Sequence, residues 1–224
     1  MQFKSQKSFN IILDLDQTII AGESYTELNS IKDKKERDKL LQHLELFGEK
    51  YGKKIFKVSA NEQYIIYGRP YLQEFLDALF ANFNVSVWTA ASSDYANFVI
   101  QNFILVPGTS RTLDFIYTRS HCEILSLNDG SEFLTKPLIK IFQKHKLYNQ
   151  HNTFILDDNP DVHKIQKNNC ILAKPFEIVN KEINSKGDIK YVKSINGEYI
   201  DYNGINDNYL VYILPKLWNL TKNK

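Results

Sequence analysis

The sequence predicts an α/β fold with a central, mostly parallel sheet, and three observations carry that expectation. Apolar, β-branched runs at Phe9–Leu13, Phe83–Trp88 and Thr153–Leu156 have strand length, and each stops at polar residues, as buried strands of an α/β sheet do. A helix-like segment follows each run beyond its polar turn. Strands alternating with helices pack as layers joined by right-handed crossovers, which places a ligand site at the carboxyl ends of the strands. The 224 residues, 43% hydrophobic and 24% charged, are enough to bury a core and match an ordinary folded composition.

In chain order, Phe9–Leu13 opens the sheet and ends at Asp14. Asp33–Lys50 carries Leu40, Leu41, Leu44 and Phe47 at helical spacing and predicts an amphipathic helix. Its charged start, Lys32–Lys39, reads as a solvated, salt-bridged turn rather than a phosphate or nucleic-acid patch. Pro70–Phe80 sets Leu72, Phe75, Leu76, Leu79 and Phe80 on one face behind a first-turn proline. Ser93–Ile104 predicts a further helix of the same kind. Asn128-Asp129-Gly130 and Asn196-Gly197 lie between alternating segments and predict two β-hairpins added at the surface. No internal repeat or linker-like stretch divides the chain, so a single domain over residues 1–224 is expected.

Twenty-eight basic against twenty-six acidic residues leave a net charge of +2, too balanced to point to nucleic acid or a membrane surface. Cys122 and Cys170 form no disulfide framework or metal-binding spacing, so a soluble protein of a reducing compartment, cytoplasmic or nuclear, is expected. Met1–Asn10 is polar and the apolar run after it stops at Asp14, which predicts neither a signal-peptide core nor a transmembrane segment.

Four motifs carry chemistry. Leu13-Asp14-Leu15-Asp16-Gln17-Thr18 puts two carboxylates one residue apart beyond a buried strand, and in extended chain both turn to one side. Taken alone, local hydrogen bonds that merely terminate the strand explain it equally well. Val87-Trp88-Thr89-Ala90-Ala91-Ser92 follows a strand and precedes a helix, where free N–H groups and a Thr hydroxyl make a phosphate cradle. The simpler reading is that Ser92 or Ser93 caps the helix. Lys136 in Phe133-Leu134-Thr135-Lys136-Pro137 is by itself a surface lysine. Leu156-Asp157-Asp158-Asn159-Pro160 offers adjacent carboxylates that, with Asp14, suit a hard cation such as Mg²⁺.

The order of these pieces decides between the readings. The sequence resembles the haloacid dehalogenase (HAD) superfamily of phosphotransferases. Within it, Ile66-Tyr67-Gly68-Arg69-Pro70-Tyr71-Leu72-Gln73-Glu74-Phe75-Leu76, Trp88-Thr89-Ala90-Ala91-Ser92-Ser93-Asp94-Tyr95-Ala96 and Leu156-Asp157-Asp158-Asn159-Pro160 are similar to the RNA polymerase II C-terminal-domain phosphatases and their NLI-interacting-factor-like relatives. The resemblance implies a Rossmann-like HAD core over about residues 9–176, without a large cap domain and with β-hairpin insertions. A helical insertion over about 19–63 and a C-terminal hairpin and helix over about 178–220 complete the expected layout. Three departures stand out: Pro137 follows Lys136 where the family usually has an acidic residue, Ile19–Gln63 is longer than in the small members, and the tail from Ile178 has no counterpart among the motifs.

The resemblance also implies roles. Asp14 would be the nucleophile that forms an aspartyl-phosphate, and Asp16 the acid for the leaving oxygen and then the base for water. Thr18, Thr89, Ala90 and Lys136 would hold the phosphoryl group, with Lys136 also pairing with Asp14. Asp14, the main-chain carbonyl of Asp16 and Asp158 would bind Mg²⁺, with Asp157 acting through water or from behind. The expected substrate is a phosphoprotein or phosphopeptide, phosphorylated on serine, threonine or tyrosine, because an uncovered site favours macromolecules. A nucleic-acid 3′-phosphatase is the alternative enzyme, and a non-catalytic HAD-fold scaffold the alternative from another class. His121-Cys122 is not a cysteine-phosphatase loop, since the residues after it lack the needed Gly and Arg.

Overall fold

The buried apolar runs pair as the alternation requires. In a computed structural model, which describes residues 7–59, 62–126, 132–183 and 189–222, the chain begins with β1 (Asn10–Leu13), β2 (Ile20–Ser24), α1 (Tyr25–Ser30), α2 (Lys34–Tyr51), β3 (Lys53–Lys57) and β4 (Gln63–Gly68). It continues through α3 (Leu72–Asn82), β5 (Asn84–Trp88), α4 (Ser93–Val99), β6 (Leu113–Tyr117), β7 (Glu123–Ser126) and β8 (Glu132–Thr135). It ends with α5 (Ile139–Lys144), β9 (Thr153–Asp157), α6 (Pro160–Ile165), β10 (Cys170–Leu172), β11 (Lys181–Ile183), β12 (Ile189–Tyr191), α7 (Tyr202–Ile205) and α8 (Tyr209–Lys222).

The central sheet has five parallel strands in the order β10-β9-β1-β5-β6. Both faces are covered, and the alternation of β1 and β9 shows it. Ile11, Leu13, Phe154 and Leu156 face a core shared with α3, α4 and α8. Ile12 and Ile155 face the opposite core, with Trp88, Ile141 and Val162. Such strands have no solvent face, which is why they read as unbroken apolar runs.

The helices form where the periodicity puts them. Asp33 caps α2 by accepting the Glu36 N–H, and Ser92 caps α4 by accepting the Tyr95 N–H. The segment 93–104 is helical throughout but changes type, running from α4 into a π-helical turn over Ile100–Ile104. The segment expected to be a helical insertion holds α1 and α2 and, in addition, two strands of an antiparallel sheet ordered β2-β4-β3. Its β3, Lys-Lys-Ile-Phe-Lys, is an edge strand blunted by lysines, so its pattern carries no apolar run to read.

The two expected hairpins fare differently. β7 and β8 pair antiparallel as the first requires, and its turn at Asn128-Asp129-Gly130 lies outside the described residues. The second is corrected: Asn196-Gly197 makes a tight turn, with Gly197 at φ 78° and Ser194 donating to the Glu198 carbonyl. The antiparallel ladder of the tail is instead β11 with β12. A turn-favouring dipeptide fixes where the chain reverses, not which flanking residues form the longer ladder.

The tail is bound to the insertion by a third core of Leu40, Leu44, Phe47 and Tyr67 against Phe176, Ile178, Val179 and Ile200. Glu23 of β2 is buried beneath it. Its carboxylate accepts the Tyr191 hydroxyl at 2.8 Å and lies 3.5 Å from Lys181 Nζ. Gly204 of α7 passes so close to the chain that a Cβ there would sit 1.6 Å from the Glu177 carbonyl oxygen.

Two outcomes follow from this packing. Gly204→Ala must push backbone apart and is expected to cost about 3 kcal/mol, lowering the melting temperature by roughly 6–12 °C; an unchanged melting temperature would show that α7 can shift freely. Burial raises Glu23 above its ordinary value of 4.5, against the pull of Lys181 and Tyr191. A raised carboxylate binds its proton more tightly in the folded chain, so the associated stability is complete below 4.5 and is lost as pH rises through the raised value. Denaturant titrations should therefore show wild type losing stability relative to Glu23→Gln as pH rises above 4.5, and a pH-independent difference would contradict this.

Candidate active site

The carboxyl ends of β1, β5 and β9 point into one cleft of about 980 Å³ lined by Asp14, Asp16, Thr89, Ala90, Lys136, Asp157 and Asp158. Parallel pairing explains the convergence. Leu13 is in register with Val87 and Leu156, so the residues that follow each strand emerge side by side. The Asp14 N–H still donates to the Leu156 carbonyl at 3.0 Å, which places Asp14 beside Asp157.

Lys136 is the hub. The β7–β8 hairpin delivers it into the site, where it is only 4% exposed. Its Nζ donates to Asp14 Oδ1 at 2.5 Å and to Asp157 Oδ2 at 2.7 Å. Burial alone would depress this amine, yet the two carboxylates outweigh it and hold the ammonium above its ordinary range. The surface-lysine reading of Lys136 is thereby excluded. Asp157 is fully buried and its second oxygen accepts the Asn159 N–H.

Thr18 ties motif to motif. Its hydroxyl is 3.3 Å from both Asp14 Oδ2 and Asp158 Oδ1, so its one proton can go to either, while it accepts the Asp158 N–H at 3.1 Å. The turn that presents it is strained at Gln17, whose φ of 56° is left-handed. Thr89 Oγ1 accepts the Ala91 N–H at 3.1 Å, fixing the hydroxyl at the start of the loop before α4. The half-buried Asp16 turns away from the other acids, and its Oδ1 accepts the Tyr95 hydroxyl at 2.6 Å.

Asp14, Asp157 and Asp158 form a group of carboxylates whose ligand atoms lie within 4.8 Å of one another. Burial, Asp157 and Asp158 push Asp14 well above the usual carboxylate range despite Lys136. Burial and Asp157 push Asp158 up to about 6. Three acids share one lysine, and that excess of negative charge on hard oxygen donors fits a divalent cation such as Mg²⁺. The side chain of Asp16 stands outside this group, so from Asp16 only the main-chain carbonyl is a candidate ligand.

Several lining residues were not singled out by the sequence. Arg119 lies just past β6, and its Nε donates to the Ala90 carbonyl at 2.7 Å, steadying the loop that carries Thr89. Its signal was the strand Leu113–Tyr117, whose half-exposed alternation conceals it. Phe56, Val58 and Tyr64 line the cleft from the insertion sheet, and Leu134 lines it from the β7–β8 hairpin. Among the described residues no helix is long and apolar enough to cross a membrane.

The strain at Gln17 is testable by denaturant unfolding. Gln17→Gly should be near neutral, because relief of the left-handed strain offsets the entropy cost of glycine. Gln17→Val should lose roughly 1–2 kcal/mol, and equal stability of the two variants would show that the turn is unstrained.

Residues 9–198 match the family of NLI interacting factor-like phosphatases, running past Phe176 into the tail. The putative CTD phosphatase-like proteins 355R of Invertebrate iridescent virus 6 and Invertebrate iridescent virus 3 are 34% and 35% identical over 194 residues. These alignments cover 86% and 85% of this chain and 99% and 95% of the relatives. The structure of Fcp1, an essential RNA polymerase II CTD phosphatase, superposes with a TM-score of 0.52 at 20% identity over 96% of this chain. A beryllium fluoride complex of a fission yeast Fcp1 variant gives 0.53, also at 20% identity and over 96% of this chain. The chain spans about half the length of those Fcp1 chains, and the likeness to them is one of HAD fold. On the match over residues 9–198 and the viral relatives, the chain belongs to the NLI interacting factor-like phosphatase family.

Proposed function

We propose that this protein is a Mg²⁺-dependent phosphoprotein phosphatase that hydrolyses phosphate monoesters of serine, threonine or tyrosine through an acyl phosphate at Asp14. The observation that carries the reading is Lys136 bridging Asp14 and Asp157 on the floor of an open cleft. A phosphate dianion repels a carboxylate nucleophile, so a site for this chemistry needs fixed positive charge beside the attacking oxygen. Lys136 supplies it. Asp14 and Asp158, with the main-chain carbonyl of Asp16, would hold Mg²⁺, and Asp157 would support it from behind. When bound, the ion offsets phosphate charge and orients the ester for in-line attack.

The residues of the chain do the rest. Asp14 attacks phosphorus while Asp16 gives its proton to the leaving oxygen, and Asp16 then takes a proton from the water that cleaves the acyl phosphate. Burial raises Asp16 against the pull of the Tyr95 hydrogen bond, which favours the protonated acid needed first. The Thr89 hydroxyl and the N–H groups near Ala90 hold phosphoryl oxygens, and Thr18 keeps Asp14 and Asp158 aligned. Phe56, Val58 and Tyr64 line the same open cleft as Arg119, and this mixed apolar and cationic lining suits a polypeptide that reaches in with one phosphorylated side chain. The two cysteines are unpaired, in keeping with a reducing compartment, cytoplasmic or nuclear. A non-catalytic scaffold would have no need of a lysine and three acids kept together at this electrostatic cost.

Hydrolysis of an aryl phosphate and of phosphopeptides should be abolished by EDTA and restored by excess Mg²⁺, while thiol reagents leave it intact. Asp14→Asn should fold yet lose at least about 10³-fold in turnover, because an amide cannot replace the attacking carboxylate. Undiminished turnover in EDTA, or near-wild-type rates in that variant, would overturn the proposal.

A further inference from the structure

Arg69 is fully buried at the junction of β4 and α3 and does not line the cleft. Its guanidinium forks onto Asp207, with Nε to Oδ1 at 2.9 Å and Nη2 to Oδ2 at 3.0 Å. The remaining arm, Nη1, donates to the main-chain carbonyl of Thr18 at 2.7 Å. Its flat faces are covered by Tyr209 and Phe176, whose ring centroids lie 4.5 and 5.3 Å from Cζ.

The target of that third arm gives the pair its meaning. Thr18 is the residue whose hydroxyl joins Asp14 to Asp158. The neighbouring carbonyls are held as well, Gln17 by the Phe176 N–H at 2.7 Å and Ile19 by the Arg69 N–H at 3.0 Å. Three successive carbonyls of the strained turn are therefore tied down, the middle one by a side chain. Asp207 in turn accepts the Tyr209 N–H at 2.9 Å at the start of α8, and α8 buries Leu210, Ile213 and Leu217 in the core that also contains Leu13 and Leu15. Lysine could not replace this arrangement, because one ammonium cannot grip a carboxylate with two parallel bonds and still reach a carbonyl on its far side.

We propose that Arg69 and Asp207 are positioning residues of the phosphoryl-transfer site: the docked C-terminal helix sets Asp207, Asp207 aims Arg69, and Arg69 fixes the Thr18 carbonyl so that its hydroxyl aligns Asp14 with Asp158. The inference rests on the phosphatase reading and extends it to a residue pair 138 positions apart. A purely structural ion pair would be replaceable, since exchanging a buried pair for apolar groups of similar volume is often neutral for stability.

That exchange is the test. Arg69→Met combined with Asp207→Leu removes both charges together and should stay folded, with a melting temperature near that of wild type. Calorimetric titration with Mg²⁺ should nevertheless show affinity weakened roughly 10-fold or more, in the range found for lost outer-sphere support, and turnover of an aryl phosphate should fall in parallel. Should the double variant not fold, Asp207→Asn keeps the Tyr209 cap and weakens only the grip on Arg69, and its Mg²⁺ affinity should fall in the same direction. Mg²⁺ affinity within twofold of wild type in the folded variant would overturn the positioning role. Wild-type protein that neither binds Mg²⁺ nor hydrolyses phosphate esters would instead overturn the phosphatase reading, and this inference with it.

Discussion

Bringing Asp14, Asp157 and Asp158 within ligand distance of one another is the constraint on which the rest of this molecule depends. Carboxylates packed this closely, two of them buried and Asp158 half-buried, repel one another, and the parallel sheet leaves them no room to separate because β1 and β9 are neighbours in register. Lys136 makes the arrangement tolerable by contacting two of the three. One ammonium cannot balance three acids, and burial together with the neighbouring carboxylates raises Asp14 and Asp158. The same excess of negative charge would favour a divalent cation, which together with Lys136 would offset the charge of a phosphoryl group.

The supports of this cluster come from unusually distant parts of the chain. The β7–β8 hairpin carries Lys136 inward, the insertion sheet walls the cleft, Phe176 ties the Gln17 carbonyl, and the tail reaches the turn behind Thr18 indirectly, through Asp207 on Arg69. The tail and the insertion also close over each other, with Glu23 and Tyr191 joined at their contact. Additions that look peripheral in the order of the strands are thus in contact with the turn that presents the acids.

How much of this was legible in the sequence follows from how local each signal is. The strands of the sheet centre declare themselves because they are buried on both faces, and the acids that follow them share one location by topology alone. Thr89 was legible for the same reason, and Ser92 is indeed the cap of the next helix. Lys136 was recognisable only through the order of motifs, since its burial depends on a hairpin whose strands are short and half exposed. β3 and β6 give weak signals, because lysines crowd β3 and the exposed Ile116 of β6 is apolar, which blurs the alternation of that strand in sequence. The union of Arg69 with Asp207 leaves no local trace, as nothing in either neighbourhood names a partner so far along the chain.

The proposed chemistry requires Asp14 to become covalently phosphorylated. Rapid acid quench of the protein during turnover of a phosphopeptide with Mg²⁺, followed by borohydride reduction and peptide mass spectrometry, reads that bond directly. A reduced side chain is expected at position 14, and none in protein quenched without substrate. Steady hydrolysis with position 14 unmodified, or with the label on another residue, would contradict it.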